Sequence, residues 1–212
     1  ILMGDSHLDL SKDPLSGNSN RFGVDIIPGH PRLSFMEDKL SSAWQHCTAA
    51  DIGGFRVTNW VNSLASHFSS TYDYLVFDVG PSLGALNRSI LLNSDFFLTP
   101  MGCDIYSLMG IENIAEWVSD WRDIYSDAAL NVLNKRVPDF DFEKYHVTNA
   151  NQLEKKTRYI GFSVQQYITK VIRGERRGIN AYETIKRQIP EYVSKNLSFL
   201  IPNNRTVTDC NL

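Results

Sequence analysis

The stretch Tyr72-Asp73-Tyr74-Leu75-Val76-Phe77-Asp78-Val79-Gly80-Pro81-Ser82-Leu83-Gly84 constrains the fold of this chain more than any other. An apolar run, Leu75 to Phe77, ends on one carboxylate, Asp78, and passes through a Gly/Pro/Ser turn into an apolar pattern of helical period. A short apolar run bounded by turn signals reads as a strand buried on both faces, the habit of parallel sheets. Such a strand carries its terminal acid to the carboxyl edge of the sheet, where phosphates and Mg²⁺ are handled. The same residues also fit an ordinary strand closed by a capped turn, because Asp is a common turn residue. The stretch by itself leaves both readings open.

The flanking pattern extends this frame. Val24-Asp25-Ile26-Ile27 reads as a short strand halted by Pro28-Gly29. Leu33, Met36, Leu40, Ala43, Trp44 and Cys47 then recur at helical spacing. After the Gly53-Gly54 break, Trp60, Val61, Leu64, Ala65 and Phe68 form the buried face of a second helix, with Thr58 as a candidate N-cap. The strand at 74–78 leads to a helix over roughly 83–93, and Phe96-Phe97-Leu98-Thr99-Pro100 reads as a strand cut short by its proline. From Ile105 to Tyr125 the sequence is strongly amphipathic, with Leu108, Ile111, Ile114, Ala115, Val118, Trp121 and Tyr125 on one face. Residues 126–156 lack a strong period and read as an irregular insertion with some helix. Tyr159 to Val164 is a third apolar strand, Ala181, Ile185 and Ile189 mark a helix ended or bent at Pro190, and Leu197 to Ile201 reads as a last strand. Apolar strands alternating with amphipathic helices predict right-handed βαβ crossovers. The expected architecture is one α/β domain over 1–212, a mostly parallel sheet with helices on both faces.

Bulk properties narrow the function classes. A chain of 212 residues can bury a sizeable core. A net charge of −3 argues against wholesale electrostatic binding to nucleic acid and leaves room for a local basic patch. No apolar run has the length of a membrane span, and no charged-then-apolar leader is visible. Cys47, Cys103 and Cys210 are far apart with no C-x-x-C spacing, so they read as free thiols in a reducing cytoplasm. His7, His30, His46, His67 and His146 show no ligand spacing, and no G-x-S-x-G motif occurs, which disfavours a histidine metal site and a hydrolase triad. The ends, Ile1-Leu2-Met3 and Cys210-Asn211-Leu212, read as internal to a longer polypeptide.

At Asp78-Val79-Gly80-Pro81-Ser82-Leu83-Gly84 the sequence resembles the ParA/MinD family of deviant Walker-type ATPases. Two further stretches, in order, carry the likeness. Asp25-Ile26-Ile27-Pro28-Gly29-His30-Pro31-Arg32-Leu33 is similar to the family's strand, "I-P-[small]" turn and helix entry. Phe97-Leu98-Thr99-Pro100-Met101-Gly102-Cys103-Asp104-Ile105-Tyr106-Ser107-Leu108-Met109-Gly110 is similar to its next strand, proline turn, acidic position and "[small]-Leu-x-Gly" helix start. The resemblance covers about 22–125 and, more loosely, 157–202. It implies a Rossmann-like P-loop NTPase fold, ATP and Mg²⁺ as cofactors, a nucleotide-sandwich homodimer, and a role in DNA segregation or spatial positioning. On this resemblance Asp78 takes the Walker B position and holds Mg²⁺ through water. Gly80, Pro81 and Ser82 take the switch turn that senses the γ-phosphate, and Gly80 stands where many members have a second proline. Asp104 matches an acidic position of the dimer or nucleotide pocket, with a plain helix N-cap as the other reading. Gln165 and Gln166 fall where adenine-side contacts cluster, with a polar loop as the other reading.

One departure is large. A P-loop needs G-x-x-x-x-G-K-[ST], whose backbone N–H groups and lysine hold the phosphates, and no Gly-Lys pair occurs in these 212 residues. The expectation is that the loop belongs to a preceding segment, with a degenerate relative as the alternative. Lys170, Arg173, Arg176, Arg177, Lys186 and Arg187 form a basic cluster that reads either as a sequence-independent DNA contact or as a solvated face. The leading expectation is thus a ParA-like ATPase that dimerises with ATP and answers to a stimulating partner protein. The alternatives are a non-hydrolysing interaction module on the same scaffold, and a relative serving membrane-site positioning or defence against mobile DNA.

Overall fold

The computed structural model describes residues 13–80, 82–165, 169–172, 175–178 and 180–212, with backbone alone at 135–136, 169–172, 175–178 and 180–181. Its elements are α1 (Ser34–Thr48), α2 (Ile52–Thr58), α3 (Trp60–Phe68), α4 (Ala85–Asn93), β1 (Phe96–Met101), α5 (Ile105–Asn131), α6 (Ala150–Leu153), β2 (Arg158–Val164), β3 (Thr169–Ile172), β4 (Glu175–Gly178) and α7 (Asn180–Leu197). They fall into two compact units, one formed by residues 1–90 and 125–150, the other by 91–124 and 151–212.

In the first unit α1 buries Leu40, Ala43 and Cys47, as its spacing predicts. The expected glycine break is instead the body of α2: Gly53 and Gly54 lie inside it, and Asp51 caps it by accepting from the Gly54 N–H at 2.9 Å. Thr58 is therefore the last residue of α2 rather than the cap of α3, because the Asp51 carboxylate starts the helix seven residues earlier. Helix α3 buries Val61, Leu64 and Phe68. Between α2 and α3 the Asn59 side chain is buried and joins a polar network. Its Nδ2 donates to the Phe55 carbonyl at 2.8 Å and to Tyr125 Oη at 2.8 Å, and its Oδ1 accepts from the Thr148 N–H at 3.1 Å. Tyr125 Oη in turn donates to the Thr148 carbonyl at 2.7 Å, and its ring meets Phe55 edge-on at 5.2 Å.

Among the described residues, the expected strands of this unit belong to no ladder. Ile26 makes an isolated antiparallel bridge to Leu15, and residues 74–80 have no regular secondary structure among the described residues. Tyr74 and Val76 are 86% and 91% exposed. A strand is held by backbone pairing along its edges, and no described segment of the unit supplies that pairing to 74–80. What anchors the run is side-chain contact: Phe77 packs edge-on against Trp60 at 6.2 Å. Tyr72 Oη donates to Asp25 Oδ2 at 2.6 Å. That bond, with the Gly17 N–H on Oδ1, holds the Asp25 carboxyl below its ordinary range.

In the second unit β1 and β2 form a parallel pair, from Phe96↔Arg158 to Met101↔Val164, with a bulge opposite Phe97/Leu98. The strand runs through Pro100 rather than stopping there, because among the described residues β1 is paired on one edge and a proline is tolerated on an open edge. Past the bulge, Gly161 has φ +148, a conformation that favours glycine, and a Cβ there would strike the Cys210 carbonyl. Helix α5 buries Leu108, Ile111, Ala115, Val118 and Trp121, while Ile114 and Trp117 are more exposed. It continues to Asn131, beyond the expected end near Tyr125, and closes with a π-helical turn at Val132–Arg136; Ala128, Ala129 and Val132 extend its buried stripe.

Helix α7 passes through Pro190 and ends at Leu197, followed by a 3-10 turn at Ser198–Leu200 in place of the expected last strand. Ile189, Val193 and Leu197 are fully buried at helical spacing. Burying each stabilises by about 1.5–3 kcal/mol, which together outweighs the ~3 kcal/mol that an interior proline costs. The basic segment forms an antiparallel hairpin, β3–β4, with Lys170 opposite Arg177 in register.

Both units bury a phenol. Burial pushes Tyr159 up to about 12 against the opposing hydrogen bond with Thr99 Oγ1 at 2.8 Å, and burial holds Tyr125 well above the ordinary tyrosine range. Unfolded phenols ionise near pH 10. Above that pH the unfolded chain sheds protons that the folded chain keeps, so stability falls as pH rises. The urea midpoint is expected to begin falling above about pH 8.5, where the unfolded forms of the three buried thiols ionise, and to fall more steeply from about pH 10 toward pH 12. Tyr159→Phe should remove part of that decline.

Candidate functional site

Asp78 lies exposed in the irregular segment 74–80 of the first unit. The turn that follows is tied down from inside the unit. Asn87, buried in the first turns of α4, donates its Nδ2 to the carbonyl of Gly80 at 2.7 Å and to the carbonyl of Ser82. Glu37, reaching from α1, accepts from the N–H of Ala85 and from the N–H of Leu86 at 3.1 Å. A carboxylate on the first free N–H groups of a helix satisfies otherwise orphaned donors and complements the helix dipole. Gly80 and Ser82 thus share the Asn87 amide, close in sequence to the exposed Asp78, and Pro81 lies outside the described residues.

The second unit holds the other two candidates at the carboxyl edge of its parallel pair. Asp104 follows β1 and caps α5: Oδ1 accepts from the Ser107 N–H at 2.8 Å and Oδ2 from Ser107 Oγ at 3.2 Å. Gln165 follows β2 as an exposed residue, its N–H donating to the Met101 carbonyl at 2.7 Å. This is the edge at which open parallel sheets bind ligands. Asp104 makes the N-cap bonds of the plainer reading, which leaves its exposed carboxylate at that edge with one role already filled.

Of the basic cluster, Lys170, Arg176 and Arg177 lie on the hairpin, and Lys186 and Arg187 are exposed positions of α7. Arg173 and Gln166 lie outside the described residues. Among the described residues, no group of three or more His, Cys, Asp or Glu is placed to hold a metal ion, and no helix is long and apolar enough to cross a membrane. The three cysteines are buried and free, and burial raises each thiol above its ordinary range. Glu37 and Asn87 carry no sequence signal of their role: one reads as a polar position of an amphipathic helix, the other as part of a helix start.

Residues 14–132 match the family model described as an AAA domain. The chain belongs to this family, which is of the ParA/MinD type of P-loop ATPase. It is 28% identical over 95 residues to the chromosome partitioning protein ParA of Myxococcus xanthus, covering 45% of this chain and 30% of that protein. It is 27% identical over 122 residues to the uncharacterised protein MJECL24 of Methanocaldococcus jannaschii, covering 58% of this chain and 41% of that one. The chain therefore spans less than half the length of either relative. The crystal structure of protein DIP2308 from Corynebacterium diphtheriae superposes with a TM-score of 0.71 at 30% identity, over 89% of this chain and 59% of that one. The fold is mixed α/β, with a parallel strand pair and helices, as this family requires.

Proposed function

We propose that this chain is the switch-bearing part of a ParA-like ATPase, in which nucleotide state drives a change between monomer and homodimer. The observation that carries the reading is Asp78, an exposed carboxylate placed directly before a turn that Asn87 and Glu37 hold, inside the segment matching the family model. The fold in this reading is the Rossmann-like P-loop type, its mostly parallel sheet covered by helices on both faces. Asp78 takes the Walker B position, and the backbone of 79–84 responds to the γ-phosphate by positioning and electrostatics rather than covalent chemistry.

The residues present fit Mg²⁺·ATP in part. Mg²⁺ keeps several waters and is bound by one or two carboxylates with phosphate oxygens, so a lone exposed carboxylate suits it where a protein-made cage does not. Bound there, Mg²⁺ would neutralise charge on the phosphates. The phosphate-cradling loop has to come from outside these 212 residues, which hold no Gly-Lys pair. Asp104 and Gln165 are assigned to the nucleotide or dimer face at the β1–β2 edge. Lys170, Arg173, Arg176, Arg177, Lys186 and Arg187 are assigned to sequence-independent DNA contact. A stimulating partner protein and a cytoplasmic location complete the reading.

Sedimentation velocity on the complete polypeptide tests it. With Mg²⁺·ATP the protein is expected to sediment as a dimer and with Mg²⁺·ADP as a monomer. One unchanged species under both conditions would favour the non-hydrolysing interaction module instead.

A further inference from the structure

Helices α1 and α4 meet through polar contacts whose geometry bears on the turn between Asp78 and α4. Glu37 covers the N–H groups of Ala85 and Leu86, and a Cβ on Gly84 would strike its Oε1, so that glycine is what lets the carboxylate close in. Two turns further along α1, the Trp44 ring lies under the Arg88 guanidinium at 4.5 Å. Arg88 is also attracted to Glu37. On the other side of the turn, Asn87 Nδ2 holds the carbonyls of Gly80 and Ser82. No peptide of the described chain is cis. In a trans peptide the C=O and N–H point in opposite directions. Drawing the Ser82 carbonyl onto Asn87 therefore turns the Leu83 N–H away from Asn87. Ala85 and Leu86 have their N–H groups committed to Glu37.

We propose that Glu37 and Asn87 are positioning residues for the backbone that enters α4, Asn87 through the Gly80 and Ser82 carbonyls and Glu37 through the Ala85 and Leu86 N–H groups, with Leu83 presenting the N–H that answers the γ-phosphate. This rests on the nucleotide reading above. Glu37 also fills the N-terminus of α4, so an incoming phosphate does not dock there but meets the turn before it.

The test is the affinity of the complete polypeptide for Mg²⁺·ATP and Mg²⁺·ADP, in the wild type, Asn87→Asp and Glu37→Gln. Asn87→Asp keeps the shape and sets an oxygen against two carbonyls; Glu37→Gln keeps the shape and removes the charge. Each is expected to weaken ATP about 10-fold and ADP less than about twofold, since only ATP carries the phosphate the turn answers. Equal weakening of ATP and ADP would mean a purely structural role and overturn the proposal, and so would no change in either. Thermal melting accompanies each variant. If Asn87→Asp unfolds below the assay temperature, Asn87→Ser and Glu37→Gln are judged by the same criterion. Asp78→Ala separates the two levels. If Asp78→Ala impairs Mg²⁺·ATP binding while the Glu37 and Asn87 variants do not, only this inference fails. If Asp78→Ala changes nothing, the nucleotide reading fails and this inference with it.

Discussion

Asn59→Ala is expected to lower the stability of the first unit by about 3 kcal/mol or more, read as a drop in urea midpoint. The side chain is 1% exposed and serves four partners at once: it donates to the Phe55 carbonyl and Tyr125 Oη and accepts from the Thr148 N–H and from Asn62 Nδ2. Removing one residue therefore strips a hydrogen bond from three buried groups and leaves a void between α2, α3 and the Tyr125 ring. Each lost buried bond costs on the order of 1–3 kcal/mol, and relaxation recovers part of it. Tyr125→Phe should cost less, about 1–2 kcal/mol, because the ring stays packed on Phe55 and only the hydroxyl goes. If the two variants cost the same, the polar network that both of them break, rather than packing, holds this junction.

Asp78→Ala in the complete polypeptide should cut Mg²⁺-dependent ATP turnover by about 100-fold or more. The argument is one of charge. Phosphoryl transfer asks the protein to position groups and neutralise charge, and on the proposed reading Asp78 is the carboxylate that would hold the neutralising ion. The structure offers no neighbouring acid cluster to take over among the described residues. Folding should be unaffected, since the Asp78 side chain is exposed. A loss of turnover with an unchanged melting temperature therefore separates chemistry from stability. Asp104→Ala is a useful contrast, because its bonds to Ser107 cap α5 and its loss should show in stability.

The sequence reveals helices better than strands in this chain, and the reason is physical. Helical period is local: Leu40, Ala43 and Cys47 or Leu108, Ile111, Ala115 and Val118 declare their faces within a few turns, and the structure buries them. A strand needs a partner elsewhere. Phe96–Met101 and Arg158–Val164 find each other and form a ladder, while the equally apolar run at 74–78 lies outside any described ladder. Local punctuation also misleads where tertiary burial is strong: Pro190 does not stop α7, and the glycines at 53–54 do not break α2. For the candidate site, the carboxylate and the turn are legible because motif order marks them. Glu37 and Asn87 are not, because their role depends on α1 arriving beside α4, a contact 48 residues apart in sequence for Glu37 and Ala85.

The most direct measurement is a Mg²⁺ titration of ATP binding to the complete polypeptide, wild type against Asp78→Asn. If Asp78 is the magnesium carboxylate, Mg²⁺ tightens ATP binding in the wild type, and Asp78→Asn, which keeps the shape without the charge, loses most of that tightening. Equal tightening in both proteins would contradict the assignment of Asp78 and, with it, the account of the turn that follows.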